Sequence, residues 1–386
     1  MRVGIVLLNW GIGGSEKRFA GLFNYLSTHS EHQYILIINC YLRDRLAEAG
    51  IPLPKKNVYL MLERGVGKFF DRPAPNLRTL FNVRIPGLNY LVYRFYRIAH
   101  FFFVSLEEKP FNKLNLDVVH FVSPDFAGQL GVIPKRVLSC QDTNLRITLL
   151  KNKFFMRSLH SGGYFDIASE TIKKIVVETT GVTDDKRLRV NPCSFIDYTK
   201  TCVQSKELLI VFSGRFEIYK NPLHFVEVVK SIHSIRPEVR AIMMGEGLLT
   251  SEVTKRVKEY LLEDVIKVQF NPHPESILSR AMIYLSLQDN DNYHSQALME
   301  AMACGCAIVA TDVGETIKLV SDEVGFRVPL DANAIAEKVL WLLDHPQTAQ
   351  KMGTAARVKV MREQTIERFS AYLEDLYRDA AASGQC

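Results

Sequence analysis

Apolar residues in this chain cluster into short unbroken runs, separated by stretches with helical periodicity. Residues 2–8 form the first run, which stops at Asn9-Trp10-Gly11-Ile12-Gly13-Gly14. Phe19, Leu22, Phe23 and Leu26 then recur at helical spacing. Gln33–Asn39, 117–122 and 135–139 are further apolar runs. Runs of this kind are strands buried on both faces, and helices between them predict a parallel sheet. The pattern restarts at Glu207–Ser213, followed by a helix through Leu223, Val226, Val229 and Ile232. Arg240–Met244, 266–270, 282–287 and 307–310 continue as strands. The expected architecture is α/β, with two doubly wound domains facing a central cleft where strand C-termini meet ligands. Residues 1–200 form the first domain and 201–364 the second, with 191–205 as linker. A final helix, 365–386, carries Ile366, Phe369, Leu373 and Leu376 on one stripe and is expected to pack back on the first domain.

Composition narrows the class. A chain of 386 residues suits two cores, and 47% hydrophobic with 23% charged residues fits a soluble globular protein. The opening run reads as a strand rather than a signal peptide. No stretch reaches the roughly 18 apolar residues of a membrane span, so a cytoplasmic location is expected. Seven cysteines without a CxxC pair read as scattered reduced thiols. The net charge of +6 comes without a dense basic run. It points away from nucleic acid and toward a small anion or an anionic membrane.

Two clusters carry candidate chemistry. In the first, Gly214 and Arg215 end a strand, and Lys220 follows just before Pro222 opens a helix. An Arg fork with a Lys point charge suits a diphosphate; the alternative is two solvated surface charges. The second cluster runs from Asp289 to Gly305. Ser295 is a candidate N-cap, which leaves N–H groups near Gln296 open to an anion. Gly305 is placed to end that helix. Glu300 is a carboxylate among the apolar residues of LMEAMACG. It either meets ribose hydroxyls or is paired within the core.

Together these motifs resemble glycosyltransferase family 4, the group 1 glycosyl transferases. The resemblance spans most of the chain and is most specific in its second half. Gly214-Arg215 with Lys220 is similar to the family's GR…K clamp on the donor diphosphate. Gly245-Glu246-Gly247 is similar to its GxG turn, and 300–305 (EAMACG) to its ribose-binding segment. Gly13-Gly14-Ser15-Glu16 resembles the GG-[AS]-E loop, and His120 and Ser169-Glu170 lie in weaker signposts.

The resemblance implies a GT-B fold of two Rossmann-like domains, the first for the acceptor and the second for the nucleotide sugar. It implies a retaining transferase without metal or other cofactor. Arg215 and Lys220 would stabilise the leaving diphosphate. Gly13, Gly14, Gly214, Gly245, Glu246, Phe270, Asn292, Ser295, Gln296 and Glu300 would line the donor. Two positions depart from the pattern. Asn292 stands where the first acid of E-x7-E belongs, with Asp291 beside it as a substitute. Cys140-Gln141-Asp142 stands where the family often has a His, which leaves Gln141 and Asp142 as the catalytic candidates there. The implied partners are a nucleotide sugar and a glycan or lipid-linked acceptor, in surface polysaccharide synthesis. A catalytically weak subunit that binds sugars or partners is the rival reading, supported by Asn292 and Gln141. A sugar-nucleotide epimerase is a third.

Residues 68–106 stand apart. Arg72, Arg78, Arg84, Arg94 and Arg97 are interleaved with Phe, Tyr and Leu, and Asp71 is the only acid. A helix there would align Leu91, Phe95, Ile98 and Phe102. Two readings follow: peripheral contact with an anionic membrane, or a helix packed on the first sheet with a solvated basic face.

Overall fold

The computed structural model describes residues 1–9, 12–63, 91–92, 94–96, 98–99, 102–103, 112–122, 136–140, 156, 160–291 and 293–383. Two compact units emerge. The first holds 1–168, 172–191 and 370–386, and the second holds 169–171 and 192–369. The division falls at 191/192, earlier than the expected 200/201. The stretch read as a linker is already packed, with Cys193, Ser194, Phe195 and Ile196 buried. The Ser194 N–H donates to Gln364 Oε1 at 2.8 Å, and the Tyr198 hydroxyl donates to the Val360 carbonyl at 2.8 Å.

The first unit is one parallel sheet. Its strands are β1 (Arg2–Leu7), β2 (Gln33–Asn39), β3 (Val58–Met61), β4 (Val118–Phe121), β5 (Arg136–Cys140), β6 (Tyr164–Ile167) and β7 (Leu188–Val190), ordered β3-β2-β1-β4-β5-β6-β7. Val3 sits opposite Tyr34 on one side and Val118 on the other. The helix Gly14–His29 turns Phe19, Leu22, Phe23 and Leu26 inward, as their spacing predicts. At its start the Glu16 carboxylate accepts from the Gly13 N–H (2.8 Å) and from Asn9 Nδ2 (2.7 Å). One carboxylate thus pins both ends of the Gly-rich loop. The final helix, Ile366–Ala382, buries Leu373, Leu376 and Tyr377 completely.

The described residues at 91, 92, 94–96, 98, 99, 102 and 103 are helical. Their inward side is not the stripe that stood out in the sequence. Tyr96 is buried and Phe103 packs against the first unit's core. Leu91, Phe95, Ile98 and Phe102 face outward, between 56% and 64% exposed.

The second unit is a six-stranded parallel sheet of β8 (Glu207–Ser213), β9 (Arg240–Met244), β10 (Ile266–Gln269), β11 (Ala281–Ser286), β12 (Ala307–Thr311) and β13 (Gly325–Val328), ordered β10-β9-β8-β11-β12-β13. The chain steps outward from β8 to β10 and then returns to place β11 against the other side of β8. This reversal opens a crevice at the C-terminal ends of β8 and β11. Among the described residues, no helix is long and apolar enough to cross a membrane.

Candidate active site

The second unit brings its motif residues to that crevice. β8 ends in Ser213, and Gly214 and Arg215 follow on the turn. β9 ends in Met244, followed by Gly245 and Glu246. Gly245 is required by a close approach, since a Cβ there would lie 1.9 Å from the Gly214 carbonyl oxygen. The two turns are also tied by the Gly214 N–H to the Met244 carbonyl at 3.0 Å and the Phe216 N–H to the Glu246 carbonyl at 3.0 Å. β10 delivers Phe270, which is 56% exposed at the rim.

Arg215 is exposed and Lys220 partly buried. Arg215 Nη2 donates to the Tyr219 hydroxyl at 3.1 Å, and Lys220 Nζ lies 5.4 Å from the centroid of the same ring. Tyr219 therefore touches both cations, a bracing role that the motif reading missed. A short 3-10 turn, Ile218–Lys220, sets this arrangement and ends at Asn221 in the left-handed region (φ 52°). Asn221 Nδ2 donates to Asp289 Oδ1 at 2.7 Å, tying the clamp loop to the loop after β11.

The helix Gln296–Ala303 starts at this crevice. Ser295 is its N-cap, with Oγ accepting from the Leu298 N–H at 3.4 Å. The N–H groups of Gln296 and Ala297 have no acceptor within the helix. With the helix dipole they present partial positive charge to an anion. The Gln296 side chain is spent elsewhere, donating from Nε2 to Ser194 Oγ at 3.0 Å. At the other end, Gly305 takes a positive φ of 71° after the last turn. Lys206 Nζ donates to the Cys304 carbonyl at 2.7 Å, and Arg357 donates to the Ala303 carbonyl. Two cations thus complement the helix C-terminus and hold its axis.

Glu300 is partly buried rather than enclosed in the core. Tyr284 lies near enough for its hydroxyl pKa to be raised, first by burial and next by Glu300. Glu300→Gln keeps the shape and removes the charge. It should weaken binding of UDP, GDP or ADP, whichever binds wild type, by roughly tenfold, because charge-assisted bonds become neutral ones. Calorimetry checks this; an unchanged affinity returns Glu300 to a structural role.

Asp291 is not available as a substitute acid. Its Oδ2 accepts from Ser169 Oγ at 2.6 Å, and its Oδ1 accepts from the N–H groups of Tyr293 and Glu315 at 3.1 Å each. Gly314 makes room for it: at φ 51°, a Cβ there would lie 2.3 Å from the Asp291 Cβ. With Asp289 bound to Asn221, both carboxylates of the Asp289-Asn290-Asp291 run are engaged by protein donors. Among the described residues, no group of three or more His, Cys, Asp or Glu side chains is placed to hold a metal. Asn292, Gln141 and Asp142 lie outside the described residues. Gly13 and Gly14 belong to the first unit, where they open the helix after β1. A groove of about 620 Å³ in the second unit, bordered by Lys351, Lys359 and Arg362, shares no residue with these loops.

A parallel α/β sheet in each unit, with a glycine turn and a helix N-terminus at the strand reversal of the second, defines a fold of the GT-B class. Residues 199–359 match the family model described as Glycosyl transferases group 1. One curated relative is the N-acetylgalactosamine-N,N'-diacetylbacillosaminyl-diphospho-undecaprenol 4-alpha-N-acetylgalactosaminyltransferase of Campylobacter jejuni. It is 26% identical over 169 residues, covering 42% of this chain and 45% of the relative. Another is the alpha-maltose-1-phosphate synthase of Mycobacterium tuberculosis, 28% identical over 193 residues, covering 45% of this chain and 48% of the relative. The chain thus spans less than half the length of the curated relatives it matches. Among solved structures, HepE of Anabaena in complex with UDP and glucose has a TM-score of 0.73 at 12% identity, covering 97% of this chain and 98% of that one. TarM has a TM-score of 0.74 at 12% identity, covering 97% and 98%. At these identities the likeness is one of fold.

Proposed function

We propose that the protein is a retaining glycosyltransferase that moves a sugar from a nucleotide-diphosphate donor to a glycan or lipid-linked acceptor. The carrying observation is the pairing of Arg215 and Lys220 on Tyr219, in a loop that Asn221 ties to the loop leading into Gln296–Ala303. In this reading the sugar–phosphate bond breaks toward an oxocarbenium-like sugar. The two cations and the helix N–H groups take up the charge developing on the diphosphate, at roughly 2–4 kcal/mol per well-placed donor. The acceptor enters on the face the phosphate leaves, and a phosphate oxygen takes its proton. Glu300 holds the ribose, and Gly245 with Phe270 borders the base.

The first unit, with Gly13 held by Glu16, is assigned to the acceptor. The Campylobacter relative is named for an undecaprenol-linked acceptor. That name supports a lipid-linked acceptor here, a role in bacterial surface polysaccharide synthesis, and work at the inner face of the cytoplasmic membrane.

The clamp is read as metal-independent, because side-chain cations and helix N–H groups supply the positive charge and Asp289 and Asp291 are bound within the protein. A hydrolysis screen over UDP-, GDP- and ADP-sugars, with and without EDTA, tests the proposal. One donor should turn over, and EDTA should leave its rate unchanged. Turnover of none would sink the transferase reading. Loss with EDTA and rescue by Mg²⁺ or Mn²⁺ would falsify the metal-free clamp.

A further inference from the structure

Gln288 lies just past the end of β11, where the chain still runs beside β12. Its N–H donates to Thr311 Oγ1 at 2.8 Å, and the same hydroxyl donates back to the Gln288 carbonyl at 2.8 Å. Held in this way, the backbone keeps the alternation of a strand, with successive side chains on opposite faces of the sheet. Ile283, Leu285 and Leu287 pack into the core on one face. Tyr284 packs on the other, together with Leu298, Met299 and Met302 of the helix Gln296–Ala303. Alternation puts Gln288 on this second face, at the end where that helix begins.

The Gln288 side chain is 8% exposed, and its Oε1 is buried with no hydrogen-bond partner among the described residues. A buried amide oxygen left unpaired is destabilising and calls for a reason. The polar groups around it are committed to holding the loop. Asp289 accepts from Asn221, Asp291 from Ser169, Tyr293 and Glu315, and Ser295 caps the helix. Gln288 retains an acceptor beside a helix N-terminus whose first N–H groups are also open.

The chemistry of that atom selects its ligand group. An amide oxygen accepts and cannot donate, and a diphosphate ester at neutral pH has no proton to give it. A sugar hydroxyl has. Position along the strand selects which sugar. Glu300, read above as the ribose contact, lies close to Tyr284. Gln288 is four residues beyond Tyr284, about 13 Å of extended chain, toward the helix N-terminus. That offset leads past the ribose and the phosphates to the sugar carried on them.

We propose that Gln288 is a specificity-determining residue whose Oε1 accepts a hydrogen bond from a hydroxyl of the transferred sugar. The proposal rests on the transferase reading and deepens it. A site built to bond one hydroxyl discriminates against the sugar that lacks it, because the buried acceptor is then left unpaired.

The test uses the full chain and the UDP-, GDP- or ADP-sugar that wild type hydrolyses, with its monodeoxy analogues. Wild type should hydrolyse one analogue about tenfold or more slowly than the parent. Gln288→Leu should lower kcat/KM for the parent by a similar factor and handle parent and that analogue alike. Comparing ratios between the two proteins cancels the intrinsic lability of each donor. Affinity for the free nucleoside diphosphate should stay within twofold, and Tm should hold or rise, since an unpaired buried acceptor is removed. Gln288→Met, unbranched and of similar length, serves the same comparison if leucine disturbs the fold. Parent turnover within twofold of wild type in both variants overturns the proposal. So does unchanged discrimination against every deoxy analogue. An equal loss for parent and analogues with a fall in Tm would give Gln288 a structural role instead. Wild type that hydrolyses no donor sinks the transferase reading and this proposal with it, whereas normal wild-type turnover with indifferent variants sinks this proposal alone.

Discussion

Arg215→Ala and Lys220→Ala are each expected to lower kcat/KM by roughly 10²-fold or more, through lost stabilisation of the leaving diphosphate. The loss should fall mainly on kcat, because both cations meet more negative charge as the sugar–phosphate bond breaks. Neither substitution should unfold the unit. Arg215 is exposed and Lys220 only partly buried, while Phe212, Phe216 and Phe225 beneath them form the core. Tyr219→Phe refines the test. It removes the hydroxyl that accepts from Arg215 at 3.1 Å and keeps the ring beneath Lys220. A bracing tyrosine predicts a smaller loss than either alanine, about tenfold or less, with the Lys220 contribution intact. Rates within twofold of wild type for both alanine variants would place the clamp elsewhere.

The sequence made this clamp visible because its parts are local. A glycine turn, an arginine and a lysine within seven residues can only sit at the end of β8. The strands were legible for a related reason. ELLIVFS, RAIMM and QYILIIN are continuous apolar runs, and their observed bounds match the expected ones at β8, β9 and β2. The strands that escaped are short. β3, β7 and β13 lie at or beside solvent as edge strands, three or four residues long, and need no apolar run. β6 escaped because YFDI carries Asp166 at its centre. That carboxylate is buried and satisfied by Ser139, Asn191 and Tyr372, partners scattered across the chain. The same non-locality hid the fate of Asp291, which looked available as a substitute acid and is bound to Ser169, more than 100 positions away. Likewise, spacing alone found the stripe at 91–102, but not which of the helix's two apolar faces meets the core.

His120, a weak signpost in the sequence, leads to the second large effect. It is fully buried on β4. The Ser139 hydroxyl gives its one proton to Asp166 Oδ2 at 2.8 Å, so toward His120 Nε2, also 2.8 Å away, it must accept. Nε2 therefore carries the ring proton, and Nδ1 accepts from the Tyr377 hydroxyl at 2.7 Å. A second ring proton would meet a hydroxyl that already donates inward. Burial is the main force that lowers the His120 pKa, to about 4, from the usual 6.5. Arg18 lowers it further, and Asp166 opposes. Because the folded value lies below the unfolded one, the unfolded chain takes the proton first as pH falls. The stability held at pH 7 is then lost through the window from 6.5 down to 4: about 2 kcal/mol by pH 5 and about 3 by pH 4. Tyr377 ties this loss to the final helix, so the first unit should loosen where Ile366–Ala382 docks. His120→Gln removes the titration. The variant should be less stable at pH 7 yet lose about 2 kcal/mol less than wild type between pH 7 and pH 5, with other carboxylates cancelling in the difference. Urea unfolding at the two pH values measures it. Parallel losses in both proteins would show that His120 stays neutral without cost and that acid acts on other groups.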